Sequence, residues 1–94
     1  MENTIALQFD KSVTRLAGNE FGKSIFAAQV KDKIDYSQKT QIVFPEQIIS
    51  IASSFVQGFF EEIVKNVGIL GVGKDVVVIA PSIDVQNKII KNLQ

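Results

Sequence analysis

Apolar and polar positions along this chain change their period several times, and each change marks an element. In "TIALQF" (4–9), Ile5, Leu7 and Phe9 alternate with Ala6 and Gln8. A period of two places one set of side chains on one face, so a strand with a single buried face is expected here, near a sheet edge. "DKS" turns the chain, and a helix is expected to start between Thr14 and Asn19, with the body "EFGKSIFAAQVKDKI" (20–34). Gly18 and Gly22 weaken that start, since glycine in a helix costs about 1 kcal/mol relative to alanine. "QKTQIVF" (38–44) reads as a second strand, stopped by Pro45, which has no N–H for a ladder.

The clearest helix is "SSFVQGFFEEIVKNVG" (53–68), where Phe55, Val56, Phe59, Phe60, Ile63, Val64 and Val67 recur at steps of one, three and four and Gly68 offers a C-terminal cap. These side chains span about half the circumference at roughly 100° per residue, so this helix is expected to have two neighbours. "DVVVIA" (75–80) is an unbroken, mostly β-branched run, which suits a strand covered on both faces in the middle of a largely parallel sheet. In "PSIDVQNKIIKNLQ", Ser82 can cap a last helix whose apolar residues are Ile83, Val85, Ile89, Ile90 and Leu93. The order β-α-β-α-β-α, with short right-handed connections, predicts a single small α/β domain spanning 1–94, with a mainly parallel or mixed sheet and helices packed on it.

The first helix carries a further pattern. Phe21, Ile25 and Ala28 form one stripe, and Phe26, Val30 and Ile34 form another on nearly the opposite side. One helix cannot lay both on one sheet. The second stripe is therefore either covered by a neighbouring helix or is a contact surface, and the expectation is a homodimer or partner interface including Phe26, Val30 and Ile34.

Composition narrows the chemistry. The chain has neither Cys nor His, which removes disulfides, thiolate nucleophiles, Ser-His-Asp and Cys-His catalysis and His-based metal sites. No catalytic residue, metal or cofactor is implied. Ten basic and ten acidic residues balance to zero, against the basic field of a non-specific nucleic-acid binder. No apolar run approaches the roughly 20 residues of a membrane span, and a cytoplasmic protein is expected.

"GILGVGKD" (68–75) nearly fits a phosphate-binding loop, but Asp75 stands where Ser or Thr would hold magnesium. Such a loop must leave a strand and open a helix; here a helix ends and a strand begins, so a glycine-rich turn is expected.

Ser53 and Ser54 precede the apolar arc of the central helix. Serine is a favoured N-cap whose oxygen takes an orphan N–H of the first turn, and a helix start also favours a phosphate. In addition, "IVFPEQIISIASSFVQGFFEEIV", with Ile51, Ser53, Ser54 and Phe55 at its turn, resembles the strand, short connection and helix of the STAS domain of bacterial anti-sigma-factor antagonists. It resembles more closely the STAS-like domain family of unknown function, and the resemblance runs roughly from Leu16 to Leu93. In the antagonists the turn reads D-S-S-G and its first serine is phosphorylated by a histidine-kinase-like ATPase. That position falls on Ser53; Ala52 stands where the Asp would be and Phe55 where the Gly would be. The resemblance implies a STAS-like fold and a regulatory module that binds a protein partner, such as an ATPase of that type, around Ser53, Ser54 and Phe55. The alternatives are a small inhibitor or assembly protein acting by surface contact, and a small enzyme. Arg15, the only Arg, is expected to be solvated, and Tyr36, the only Tyr, to pack its ring at the surface with a wet hydroxyl.

Overall fold

The computed structural model describes residues 3–72 and 74–93. Its elements follow in the order β1 (Asn3–Ala6), β2 (Arg15–Leu16), α1 (Asn19–Gln29), β3 (Thr40–Val43), β4 (Ser50–Ile51), α2 (Ser53–Gly71), β5 (Val76–Ile79) and α3 (Ile83–Leu93). The expected small α/β domain with a parallel sheet is present: β1, β3 and β5 pair in parallel in that spatial order. Two elements were not expected, because strands of two residues carry no period. β2 and β4 form a separate parallel pair, with Arg15 beside Ser50 and Leu16 beside Ile51.

The register puts Ile5, Ile42 and Val78 in one row and Thr40 beside Val76, all on one face and all buried. Both crossovers step the same way across the sheet, and right-handed connections therefore carry α1 and α2 onto the same face. The core between them joins the strand residues to Phe26 and Val30 of the α1 end, to Phe55, Val56, Phe59, Phe60 and Ile63 of α2, and to Val85 and Ile89 of α3.

The expectation for "DVVVIA" is corrected in two respects. β3 is the central strand and β5 an edge. Val76 and Val78 are buried, whereas Val77 is half-buried and Ile79 is 42% exposed, so the second face of the strand is open. A run of β-branched residues fits a pleated surface at either place, and only the neighbouring layer decides between them.

α1 stops at Gln29, five residues before the expected end. The chain tightens at once, with the Val30 and Lys31 N–H groups both donating to the Phe26 carbonyl and the Ile34 N–H to the Val30 carbonyl. This turn carries Val30 into the core. Val30 is fully buried, Phe26 is 4% exposed and Ile34 is half-buried against the core, so the expected interface stripe lies inside the chain. α2 is the second neighbour that covers it: Phe26 meets Phe59 edge-on, at 6.0 Å and 87°. Phe59 also touches Phe44, Phe55 and Phe60 at centroid distances of 5.8, 5.7 and 4.9 Å, which makes it the hub of the core.

α1 and α2 meet backbone to backbone. A Cβ on Gly22 would lie 2.5 Å from the Phe55 carbonyl oxygen, and one on Gly58 would sit on the Asn19 carbonyl. These glycines lower helix propensity and in return let the helices touch. α2 breaks at Gly68, whose φ of 76° and ψ of 168° end the regular helix where a capping glycine was expected. Ser82 caps α3 as expected, its hydroxyl oxygen accepting the Val85 N–H at 3.3 Å. Of the apolar residues of α3, Val85 and Ile89 are buried and Leu93 is half-buried, while Ile83 and Ile90 are exposed.

Candidate functional site at the paired helix starts

Each of the first two sheet strands leads through a loop and a two-residue strand into a helix, and these two routes are stitched together. The Gln47 side-chain nitrogen donates to the carbonyls of Asp10 (2.6 Å) and Val13 (2.7 Å), joining the loop after β3 to the loop after β1. The Ile49 N–H donates to the Thr14 carbonyl at 2.8 Å, and the β2–β4 pair continues from there. At its end the Ala52 N–H donates to the Leu16 carbonyl at 2.7 Å. Because β2 and β4 run side by side in parallel, α1 and α2 begin side by side.

The carbonyl of Gly18 takes the Gly22 N–H at 3.0 Å, and that of Ala52 takes the Val56 N–H at 3.2 Å, so Gly18 and Ala52 occupy the caps. Ser53 and Ser54 therefore lie within the first turn of α2, one and two residues further in than a capping serine. The hydroxyl oxygen of Ser54 serves the other helix, accepting the Gly18 N–H at 3.0 Å across 36 residues of sequence. Ser54 is half-buried, and Ser53 beside it is exposed. Of the three residues taken from the motif, Phe55 is fully buried, stacked on Phe59 and tilted against Phe21, and so supports the turn from below. Phe21 is 37% exposed, and its ring also meets Phe9. Exposed Ile49 and Ser50 lead into the same turn. The result is a corner of two joined helix starts on which a hydroxyl is presented at the positive end of a helix, with exposed Arg15 paired beside Ser50 and Glu20 in the first turn of α1.

No family model matches this chain, and neither a curated protein nor a solved structure does.

Around this corner the charged groups are local. Asp10 accepts the backbone N–H and the hydroxyl of Ser12, which hold its carboxyl below the usual value of 3.8. Glu61 stands between Lys23 of α1 and Lys65 of α2, at 3.7 and 3.9 Å, on an exposed face. Glu62 is exposed as well, and Arg15 is exposed on β2. Among the described residues no group of three or more Asp or Glu stands close enough to hold a metal ion. None of the described helices is long and apolar enough to cross a membrane.

Two other sequence features find their places elsewhere. In the glycine-rich segment the Lys74 and Asp75 N–H groups return to the Gly71 carbonyl, between the end of α2 and the start of β5; Gly73 lies outside the described residues. Tyr36 differs from expectation: its hydroxyl is buried and makes no well-formed hydrogen bond among the described residues. The Asn66 side chain lies beside it but gives its own N–H to the Glu62 carbonyl at 2.7 Å. Burial, and then the charge of Glu62, push the phenol above its ordinary value of 10, with Asn66 pulling weakly the other way.

Proposed function

We propose that this chain is a non-enzymatic, STAS-like interaction and regulatory module that binds a protein partner through the surface around Ser53 and Ser54. The observation that carries the reading is the difference between the two serines. Ser54 is occupied in holding the start of α1 through the Gly18 N–H, whereas its neighbour Ser53 is exposed on the same fixed turn. A hydroxyl held in this way can be read by a partner, and it can be reached by a kinase. Phosphorylation would add about −1.5 to −2 charges at the end of a helix that favours them, so the module would stay folded while its surface around Ser53 became more negative. A histidine-kinase-like ATPase is the partner that the sequence resemblance suggests.

The test is site-directed photo-crosslinking in the native host, with the crosslinker at position 53 in one sample and at position 31, beyond the far end of α1, in the other. A protein captured from position 53 and not from position 31, and identified by mass spectrometry as an ATPase of this kind, is the expected result. Equal capture from both positions, or none from position 53, would contradict the reading.

A further inference from the structure

Two turns stand side by side just before β2 and β4, at the end of that pair away from the helix starts. In the first, the Val13 N–H donates to the Asp10 carbonyl at 2.9 Å, and the Asp10 carboxylate holds Ser12 inside the turn. In the second, the Ile48 N–H donates to the Pro45 carbonyl at 3.2 Å. Each turn closes on itself, and Gln47 joins the two: its Nε2 donates to the carbonyls of Asp10 and Val13, across 37 and 34 residues of sequence. From there the bonds between the two routes run in one direction, from Ile49 to Thr14, through β4 beside β2, from Ala52 to Leu16, and on to the Ser54 hydroxyl that takes the Gly18 N–H. A side chain of the second route therefore closes this series at each end.

We propose that Gln47 is a positioning residue for the corner that carries Ser53: its grip on two carbonyls holds the series in register, and the corner loosens when the grip is lost. Two-residue strands are far shorter than a pair needs to hold itself, so β2 and β4 depend on what clamps their ends. Each bond between the routes also has to offset the closure of a loop of more than thirty residues, which favours bonds made together over bonds made singly. Leu16, Ile48 and Ile51 stay anchored in the core, so losing the grip frees the register of the corner and leaves the domain folded. Glutamine suits the place because its amide nitrogen carries two hydrogens for two carbonyls. Glutamate has the same shape and, ionised, only accepts; methionine donates nothing; lysine keeps donors on a longer stem. The consequence for a partner rests on the Ser53 reading; the grip itself does not.

Amide hydrogen exchange of the full chain, read residue by residue by NMR, compares wild type with Gln47→Glu, Gln47→Met and Gln47→Lys. In the Glu and Met variants the Ile49, Ala52 and Gly18 amides are expected to exchange at least about tenfold faster, the size of one to two net hydrogen bonds. The Thr40 and Phe44 amides, which donate to Asp75 and Ile79 in the main sheet, are expected to keep their wild-type rates. Gln47→Lys is expected to return the three corner amides to within about threefold of wild type. Photo-crosslinking from position 53 in the Gln47→Met background is expected to capture less partner than in wild type. Corner amides that exchange as in wild type when Gln47 cannot donate, a Lys variant as fast as the Met variant, acceleration shared by Thr40 and Phe44, or undiminished capture despite faster exchange would overturn the proposal. Where wild type itself captures nothing from position 53, the partner reading falls and the exchange rates still decide whether Gln47 holds the corner.

Discussion

Replacing Gly58 with alanine would set a methyl group on the Asn19 carbonyl, with the carbonyl carbon at 2.9 Å where ordinary contact begins near 3.4 Å. The obstructing atoms are backbone, so no side chain can swing away; α1 itself must retreat, and its Gly22 contact with Phe55 and Phe59 opens with it. Overpacking of this kind costs about 1–3 kcal/mol, and rigid backbone on the far side places this case near 3. Alanine returns about 1 kcal/mol through its helix propensity. The net loss is about 2 kcal/mol, which for a domain of this size lowers Tm by roughly 8–16 °C. Thermal and urea denaturation followed by circular dichroism measure it, with exposed Gln57→Ala as a control expected within about 0.5 kcal/mol of wild type. A Gly58→Ala protein as stable as wild type, or more stable, would refute the backbone contact between the helices.

Ser54→Ala leaves the Gly18 N–H without its acceptor and is expected to cost about 1–2 kcal/mol in urea denaturation, with amide exchange faster at the start of α1. Phe26→Ala is expected to cost about 3–5 kcal/mol, and Phe26→Glu to abolish the cooperative transition altogether, because the side chain lies in the core against Phe59. Tyr36, the only tyrosine in a chain without tryptophan, reports directly through tyrosinate absorbance, whose midpoint is expected above 10. Since its folded value is raised, the stability it contributes is fully present below pH 10 and is lost as pH rises through the folded value; Glu62→Gln should bring the midpoint down.

Much of the fold was legible in the residues, for reasons that also explain what was not. The wide apolar arc of α2 from Phe55 to Val67 announced two neighbours, and the helix has three, packing against α1, α3 and the sheet. The same logic could not settle Phe26 and Val30, because a second stripe on a helix fits a partner helix as well as a partner molecule. β2 and β4 escaped because two residues have no period, although they set the helix starts side by side. Gly22 read as a weak point of its helix and Gly58 drew no reading at all, since a close approach is visible only when both helices are in place. The serine pair was visible as a helix start. Which helix each serine serves depends on the β2–β4 pairing, and the hydroxyl of Ser54 turned out to serve α1.

Ser53→Asp against Ser53→Ala, measured as affinities for the partner captured at position 53, tests the central claim most directly. A carboxylate in the first turn of α2 suits the helix end by about 0.3–1 kcal/mol, so any loss of binding comes from the surface and not from unfolding. The account predicts that Ser53→Ala binds within about twofold of wild type, while Ser53→Asp binds at least about tenfold more weakly, about 1.4 kcal/mol. Equal affinities for the two variants would contradict it.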